Sequence, residues 1–345
     1  ALDNVHNAFS TNFFSHYGTL CYTDMGMVLG DIPAKYFSST EFVAERLTGK
    51  KLKEEYPVLK YACAGCTIGC GRTTIAEFDE KEVEIDGPEY ETVAAFGPLC
   101  GVLDFEPILT ANHLCNLEGV DTISSGVSIA FLIYLVENNL ALEKIGALLN
   151  DLKIEDIQWG NGDIVNKLLN KIITREGIGE VLAEGVKEMA VKLGVDPNLA
   201  AHVKGLEIPM HDPRAYHGQA LSYITCCIGA SHEKGDFFNI DGDAAAFRKI
   251  RKDDRFDING REEAVVMLQD LANVYDSAVI CNFPHLNMNI LGKLLHASTG
   301  FKSIKRRRGI LESGERANNL KRIISCKLGI GREDDALPSI VTEVL

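Results

Sequence analysis

Cys63-Ala64-Gly65-Cys66-Thr67-Ile68-Gly69-Cys70 sets three thiols in a C-x2-C-x3-C run among small neighbours. Three thiolates this close can face one point only where the backbone curls tightly, which glycine permits and a wrapped metal centre requires. A 4Fe-4S cluster takes a fourth cysteine from elsewhere in the chain. A structural zinc site asks for a second pair at ligand spacing, which the sequence does not contain. The cluster is therefore the better reading, ahead of zinc and of an accidental grouping. Cys21, Cys100, Cys115, Cys226, Cys227 and Cys326 each read as small buried apolar residues.

Around this run lies a chain of 345 residues with 46% hydrophobic, 24% charged and 8% aromatic residues, enough for a real core in two domains or one large one. The formal charge of -14, from 35 basic against 49 acidic residues, argues against sequence-independent nucleic-acid binding and against adhesion to anionic membranes. The longest apolar run, Val127 to Val136, is too short to span a bilayer, and no secretory signal is visible. Ten cysteines without a dense paired pattern point to a reducing compartment, with the cytoplasm as the default. The start at Ala1 reads as a piece of a longer protein.

Hydrophobic period and capping residues predict a mainly α chain with one small β-hairpin. Ser39 or Thr40 followed by Glu41 to Leu47 reads as a capped helix, and Thr73 to Asp86 alternates as a hairpin turning near Phe78-Asp79-Glu80-Lys81. Helices are expected over Glu106 to Leu117, Thr122 to Glu137, Asp163 to Arg175, Ile178 to Leu193, Glu262 to Tyr275, Leu291 to Ser298 and Ile310 to Leu328. The last includes the amphipathic set Leu320, Ile323, Ile324 and Leu328. A Pro/His/Gly-rich passage, Leu206 to Gly218, breaks the run. The expected boundary lies near Asp196, giving domains 1–195 and 196–345.

Two corners carry polar groups beyond what packing asks. In Asn116-Leu-Glu-Gly119-Val-Asp121, Gly119 ends one helix and Asp121 with Thr122 caps the next, leaving amide and carboxylate groups outward for a heterocycle with donors and acceptors. The plain alternative is a helix-turn-helix corner, for which Gly and Asp are standard residues. In Asp276-Ser-Ala-Val279-Ile-Cys281 a carboxylate at a helix end is followed by a lone thiol, the candidate fourth cluster ligand. Gly177-Ile-Gly179 lacks the third glycine of a dinucleotide fingerprint, and no Walker-type loop is present. Lys305-Arg306-Arg307-Arg308 reads as a solvated helix face, with docking of an acidic ferredoxin as the alternative.

The cysteine run, Gly87-Pro88-Glu89-Tyr90-Glu91-Thr92, the Asn116–Asp121 corner, Ile178-Gly179-Glu180-Val181-Leu182-Ala183-Glu184-Gly185 and Val203-Lys204-Gly205-Leu206-Glu207, in this order, resemble the tungsten-containing aldehyde:ferredoxin oxidoreductase family over nearly the whole chain. The resemblance implies two helical domains as in the C-terminal part of that family, the first holding the cysteine loop and first pterin motif, the second holding the other pterin motif and the fourth cluster cysteine. It implies a 4Fe-4S cluster on Cys63, Cys66, Cys70 and Cys281, a tungsten or molybdenum bis-pyranopterin contacted by Asn116, Asp121 and Asp276, and Glu91 and His232 near the metal as proton-transfer or substrate-orienting groups. Read alone, His232 is an ordinary polar turn residue.

Three departures stand out. Asn116 replaces the usual aspartate, Val279 replaces the usual glycine, and the family's N-terminal β domain has no counterpart in this sequence. The function so implied is oxidation of a small-molecule aldehyde to a carboxylic acid, with electrons passed through the cluster to ferredoxin or another redox protein; a homodimer stays open. The alternatives are a cluster-only electron-transfer protein, a metal-free helical scaffold, or a relative acting on another substrate such as an aromatic acyl-CoA. His211-Asp212-Pro213-Arg214 and His217 read equally as a passage that tunes substrate choice and as a loop with a proline turn.

Overall fold

The hairpin pattern around the cysteine run extends into a three-stranded antiparallel sheet in the order β1-β2-β3, with β1 Val58–Tyr61, β2 Gly71–Phe78 and β3 Lys81–Asp86. The computed structural model describes residues 9–39, 44–78, 80–237, 255–257, 259–284 and 286–343. In β2 the side chains Arg72, Thr74 and Ala76 turn inward in alternation, the two-residue period of a half-buried strand. Its register sets Tyr61 opposite Gly71 and Phe78 opposite Lys81. A side chain at position 71 would lie 2.5 Å from the Tyr61 ring, so the pairing needs glycine there. Strand β1 was absent from the sequence expectation. Asp79 lies outside the described residues.

Helices fill most of the remaining chain, as the patterning implied: α1 Phe9–Tyr17, α2 Thr23–Val28, α3 Gly49–Glu55, α4 Tyr90–Phe96, α5 Phe105–Glu118, α6 Thr122–Glu137, α7 Leu142–Leu148, α8 Gly162–Thr174, α9 Gly179–Leu182, α10 Gly185–Leu193, α11 His217–Thr225, α12 Arg261–Ala278, α13 Met288–Thr299 and α14 Arg307–Lys327. Two residue pairs, β4 His202–Val203 and β5 Leu206–Glu207, form a short antiparallel ladder. Residues 40–43 of the expected capped helix lie outside the described residues, and Ala44–Leu47 is a single 3-10 turn.

The expected helix from Ile178 to Leu193 is in fact two. Gly185 (φ +81°) breaks it, because the Glu207 carboxylate sits where a side chain at 185 would be, 2.5 Å from that position. Glu207 Oε1 accepts the Val186 N–H at 2.9 Å and Oε2 accepts the Ser124 hydroxyl at 2.8 Å. A carboxylate from β5 thus caps α10 at its dipole-positive end, and the Ala183-Glu184-Gly185 and Gly205-Leu206-Glu207 motifs are two halves of one contact. No local period announces such a break.

The chain forms two compact units, one of Phe13–Asp212 with Pro338 onward, the other of Pro213–Leu337 with the chain's start through Asn12. In the first, α6 is buried on nearly every side, with Val127, Ile129, Phe131, Leu132, Ile133 and Leu135 fully inside. Gly126 lets it approach α4, since a side chain there would meet the Ala95 Cβ at 2.7 Å. The apolar run read from sequence is therefore a core helix. Among the described residues no helix is long and apolar enough to cross a membrane. In the second unit α12 and α14 cross at Gly314, where a side chain would meet the Asp270 carbonyl, and Val274, Tyr275, Met288, Leu291 and Ile310 form the core.

Candidate metal and cofactor site

The cysteine run is the connection between antiparallel strands β1 and β2, so both its ends are pinned by ladder hydrogen bonds. Gly65 (φ +74°) and Gly69 (φ +63°) take the left-handed conformation that the tight curl demands. The Cys66 N–H donates to the Cys63 carbonyl at 2.9 Å, and the Ile68 N–H points at Cys66 Sγ at 3.4 Å. An amide aimed at sulfur is a contact that metal-bound thiolates also accept. Cys63 is exposed and Cys66 and Cys70 half-buried. None of the ten cysteines is in a disulfide.

Arg72 anchors the loop from behind. It is buried, and its guanidinium donates to the carbonyls of Gly69 (3.1 Å), Gly71 (2.7 Å), Phe14 (3.1 Å) and Ser15 (2.8 Å). Nearby Cys21 is different in kind from the triplet: burial pushes its thiol up to about 12, against a downward pull from Arg72, and keeps it protonated. Burial does the same to Cys115, also to about 12. Cys100, Cys115, Cys226 and Cys227 are the small buried residues the sequence suggested, whereas Cys21 is half-buried and Cys326 is exposed.

Glu91 lies in the first turn of α4, in the same unit as the triplet. Its Oε2 accepts the Met210 N–H at 2.8 Å, and its Oε1 stands 3.5 Å from His211 Nε2. On the other side of the ring, His211 Nδ1 is 2.5 Å from Asp31 Oδ2, which also accepts the Tyr22 hydroxyl at 2.9 Å. Asp31 is wholly buried and His211 nearly so. Sequence reasoning left His211 undecided and passed over Asp31, a residue that by local signal is only a turn aspartate between Gly30 and Ile32-Pro33.

Asn116 and Asp121 sit at the exposed corner between α5 and α6 in this unit. Asn116 Nδ2 donates to the Asp86 carbonyl at 3.1 Å; Asp121 Oδ2 accepts the Ser124 N–H at 2.7 Å and caps α6. His232, Asp276 and Cys281 belong to the other unit. There His232 Nε2 lies 3.4 Å from Glu233 Oε1, and its hydrogen bond holds the Glu233 carboxyl down to about 2, helped by Asn282. Asp276, at the end of α12, is bracketed by Lys234 Nζ at 3.0 and 2.8 Å. Cys281 is exposed three residues beyond that helix end.

By donor chemistry the triplet fits an iron-sulfur cluster: three thiols on a glycine-curled loop, with an amide aimed at sulfur. The corners fit a polar heterocycle less fully, since Asp121 already caps a helix with one oxygen and Asp276 already holds a lysine.

The mainly α fold with a small sheet is shared with the active-site complex BamBC of benzoyl coenzyme A reductase in complex with 1,5-dienoyl-CoA, at a TM-score of 0.69, 17% identity, and coverage of 94% of this chain and 54% of that one. That likeness defines the class by fold alone: a mainly helical body with a small antiparallel sheet. The chain belongs to the aldehyde ferredoxin oxidoreductase family, whose model for domains 2 and 3 matches residues 2–345. It is 32% identical over 328 residues to the tungsten-containing aldehyde ferredoxin oxidoreductase of Pyrococcus furiosus, covering 93% of this chain and 52% of that protein. The counterpart from Thermococcus kodakarensis is 30% identical over 330 residues, with the same coverage. The aliphatic sulfonate oxidoreductase WOR-like subunit of Pyrococcus furiosus is 28% identical over 231 residues, covering 65% of this chain and 32% of that subunit. The chain thus spans about half the length of the full relatives it matches.

Proposed function

We propose that this chain is the cluster- and pterin-holding helical part of a tungsten oxidoreductase that oxidises an aldehyde to a carboxylic acid and passes the electrons to ferredoxin. The observation that carries the reading is the glycine-curled, amide-facing thiol loop within a chain matched end to end by domains 2 and 3 of the family. When bound, the tungsten-pterin supplies two-electron chemistry and the cluster passes those electrons on singly.

This chain's own residues then have separable tasks. Cys63, Cys66, Cys70 and Cys281 would hold the cluster, and Asn116, Asp121 and Asp276 would contact pterin through the oxygen lone pairs and amide that their present partners leave over. Glu91, held by the Met210 amide at one oxygen, takes up a proton that aldehyde oxidation must shed. His232, kept near a strongly acidic Glu233, holds or releases the second. A second substrate class, an aromatic acyl-CoA, is suggested by the fold shared with the benzoyl coenzyme A reductase complex.

The test is dye or ferredoxin reduction by protein purified without oxygen, offered aldehydes in one series and aromatic acyl-CoA with a reductant in another. Aldehyde-dependent reduction that falls at least about tenfold in Glu91→Gln supports the assignment. Turnover of acyl-CoA alone would move it to the second class, and turnover of neither by tungsten-loaded protein would overturn it.

A further inference from the structure

The segment Pro209–Asp212 is locked in place from three sides inside the Phe13–Asp212 unit. The Met210 N–H donates to Glu91, the Met210 carbonyl accepts the Tyr90 hydroxyl at 2.6 Å, and the Asp212 N–H donates to the Asp31 carbonyl at 2.7 Å. With its backbone neighbours held so, the His211 ring has little freedom. Its centroid lies 5.1 Å from the Tyr22 ring and 5.0 Å from the Tyr90 ring, and the imidazole bridges Asp31 Oδ2 at 2.5 Å and Glu91 Oε1 at 3.5 Å.

We propose that Asp31, His211 and Glu91 form a buried proton relay, in which His211 is the positioning residue that takes the proton from Glu91. The proposal rests on the reading of Glu91 as a proton-handling group. A wholly buried carboxylate at Nδ1 fixes that nitrogen as the N–H donor and leaves the Nε2 lone pair facing Glu91. When Glu91 has gained a proton, its O–H bond breaks and an N–H bond forms at His211 Nε2. The resulting imidazolium lies between two carboxylates, so its positive charge is compensated while buried. Return of the proton restores the starting state, and no electron changes hands. The Tyr22 hydroxyl, donating to Asp31, holds the far carboxylate in its ionised, accepting role.

The ordinary alternative is a core histidine that only satisfies Asp31. That reading explains the contact at Nδ1 and leaves unexplained why Nε2 faces a carboxylate whose other oxygen is already held by a backbone amide. The groups of this unit that face the imidazole include Asp31, Glu91, Tyr22 and Tyr90, so each enters the test.

The experiment is nitrogen-15 NMR of histidine-labelled full chain across pH, for the parent and for Asp31→Asn, Glu91→Gln, Tyr22→Phe and Tyr90→Phe. The relay predicts that His211 carries its neutral-form proton on Nδ1, and that its titration midpoint falls by at least about one pH unit, a tenfold loss of proton affinity, in Asp31→Asn. It predicts a smaller fall in Glu91→Gln, a rise in Tyr22→Phe, where Asp31 loses a competing donor and binds the imidazolium more strongly, and no change in Tyr90→Phe, whose hydroxyl is given to Met210. An Nε2–H tautomer, or a midpoint indifferent to both Glu91→Gln and Tyr22→Phe, overturns it. These readings need no tungsten, so the relay can fail while the proposed activity stands, and the activity can fail while the relay stands. In enzyme that turns over, His211→Gln is expected to lower kcat and shift its pH profile with KM unchanged; an unchanged profile would leave His211 a structural residue and contradict the relay.

Discussion

The corner after α5 and the corner after α12 have the same backbone and different side chains. At the first, Gly119 takes the left-handed conformation (φ +68°, ψ +36°) and the Val120 N–H reaches back to the Cys115 carbonyl at 3.0 Å. At the second, Val279 takes it (φ +54°, ψ +44°) and the Ile280 N–H reaches back to the Tyr275 carbonyl at 3.0 Å. The helix-ending hydrogen bonds are thus met without glycine, but a β-branched, 93% exposed valine bears the strain with no packing in return. Two residues beyond each turn the corners part again. Asp121 folds onto the next helix as its cap, whereas Cys281 stays exposed at the equivalent place. The geometry delivers the sixth residue of each motif to the same position relative to its helix; the residue type decides whether that position caps or can ligate.

The sharpest way to break this comparison is to change the sixth residues. Cys281→Ser is expected to remove most of the iron, from about four atoms per chain to less than one, while Asp121→Ala keeps it, as read by iron analysis of anaerobically purified protein. The lead-in helices differ next. α12 carries buried Asp270, whose carboxyl burial pushes up to about 6 from an ordinary 3.8, with Glu315 adding to it. Its counterpart region in α5 buries neutral Asn112 instead. Because the folded state binds this proton more tightly than the unfolded chain, stability is fully present below about pH 4 and falls as pH rises to about 6, by on the order of 1–3 kcal/mol once solvent screening is allowed for. Urea unfolding across that window should show the fall in the parent and its loss in Asp270→Asn. Exchanging the turn residues comes third: Gly119→Val should destabilise, and Val279→Gly stabilise, by about 1–2 kcal/mol each in the same assay. Least is the cap itself, with Asp121→Ala costing about 1 kcal/mol.

Features carried by neighbouring residues were legible in the sequence. The hairpin from Thr73 to Asp86, the helix from Thr122 capped by Asp121, and the corner at Gly119 all arise from a two- or 3.6-residue period with a turn or cap residue at its edge. The mainly α class and the family came from such motifs in order. Features made by distant residues were not legible. Strand β1 has an exposed, weakly alternating face and is defined only by its partner β2. The break at Gly185 is made by Glu207, and the Asp31–His211 pair joins residues 180 apart in the chain. Each of those residues, read alone, is an ordinary turn or surface residue.

The most direct measurement is iron content together with EPR after dithionite reduction, on this chain purified without oxygen. A four-thiolate site predicts about four irons per chain and a reduced-cluster signal that disappears in Cys66→Ser. A chain that stays folded, with its thiols reduced, and takes up no iron even on anaerobic reconstitution would contradict the claim that the Cys63–Cys70 loop was shaped to hold a cluster.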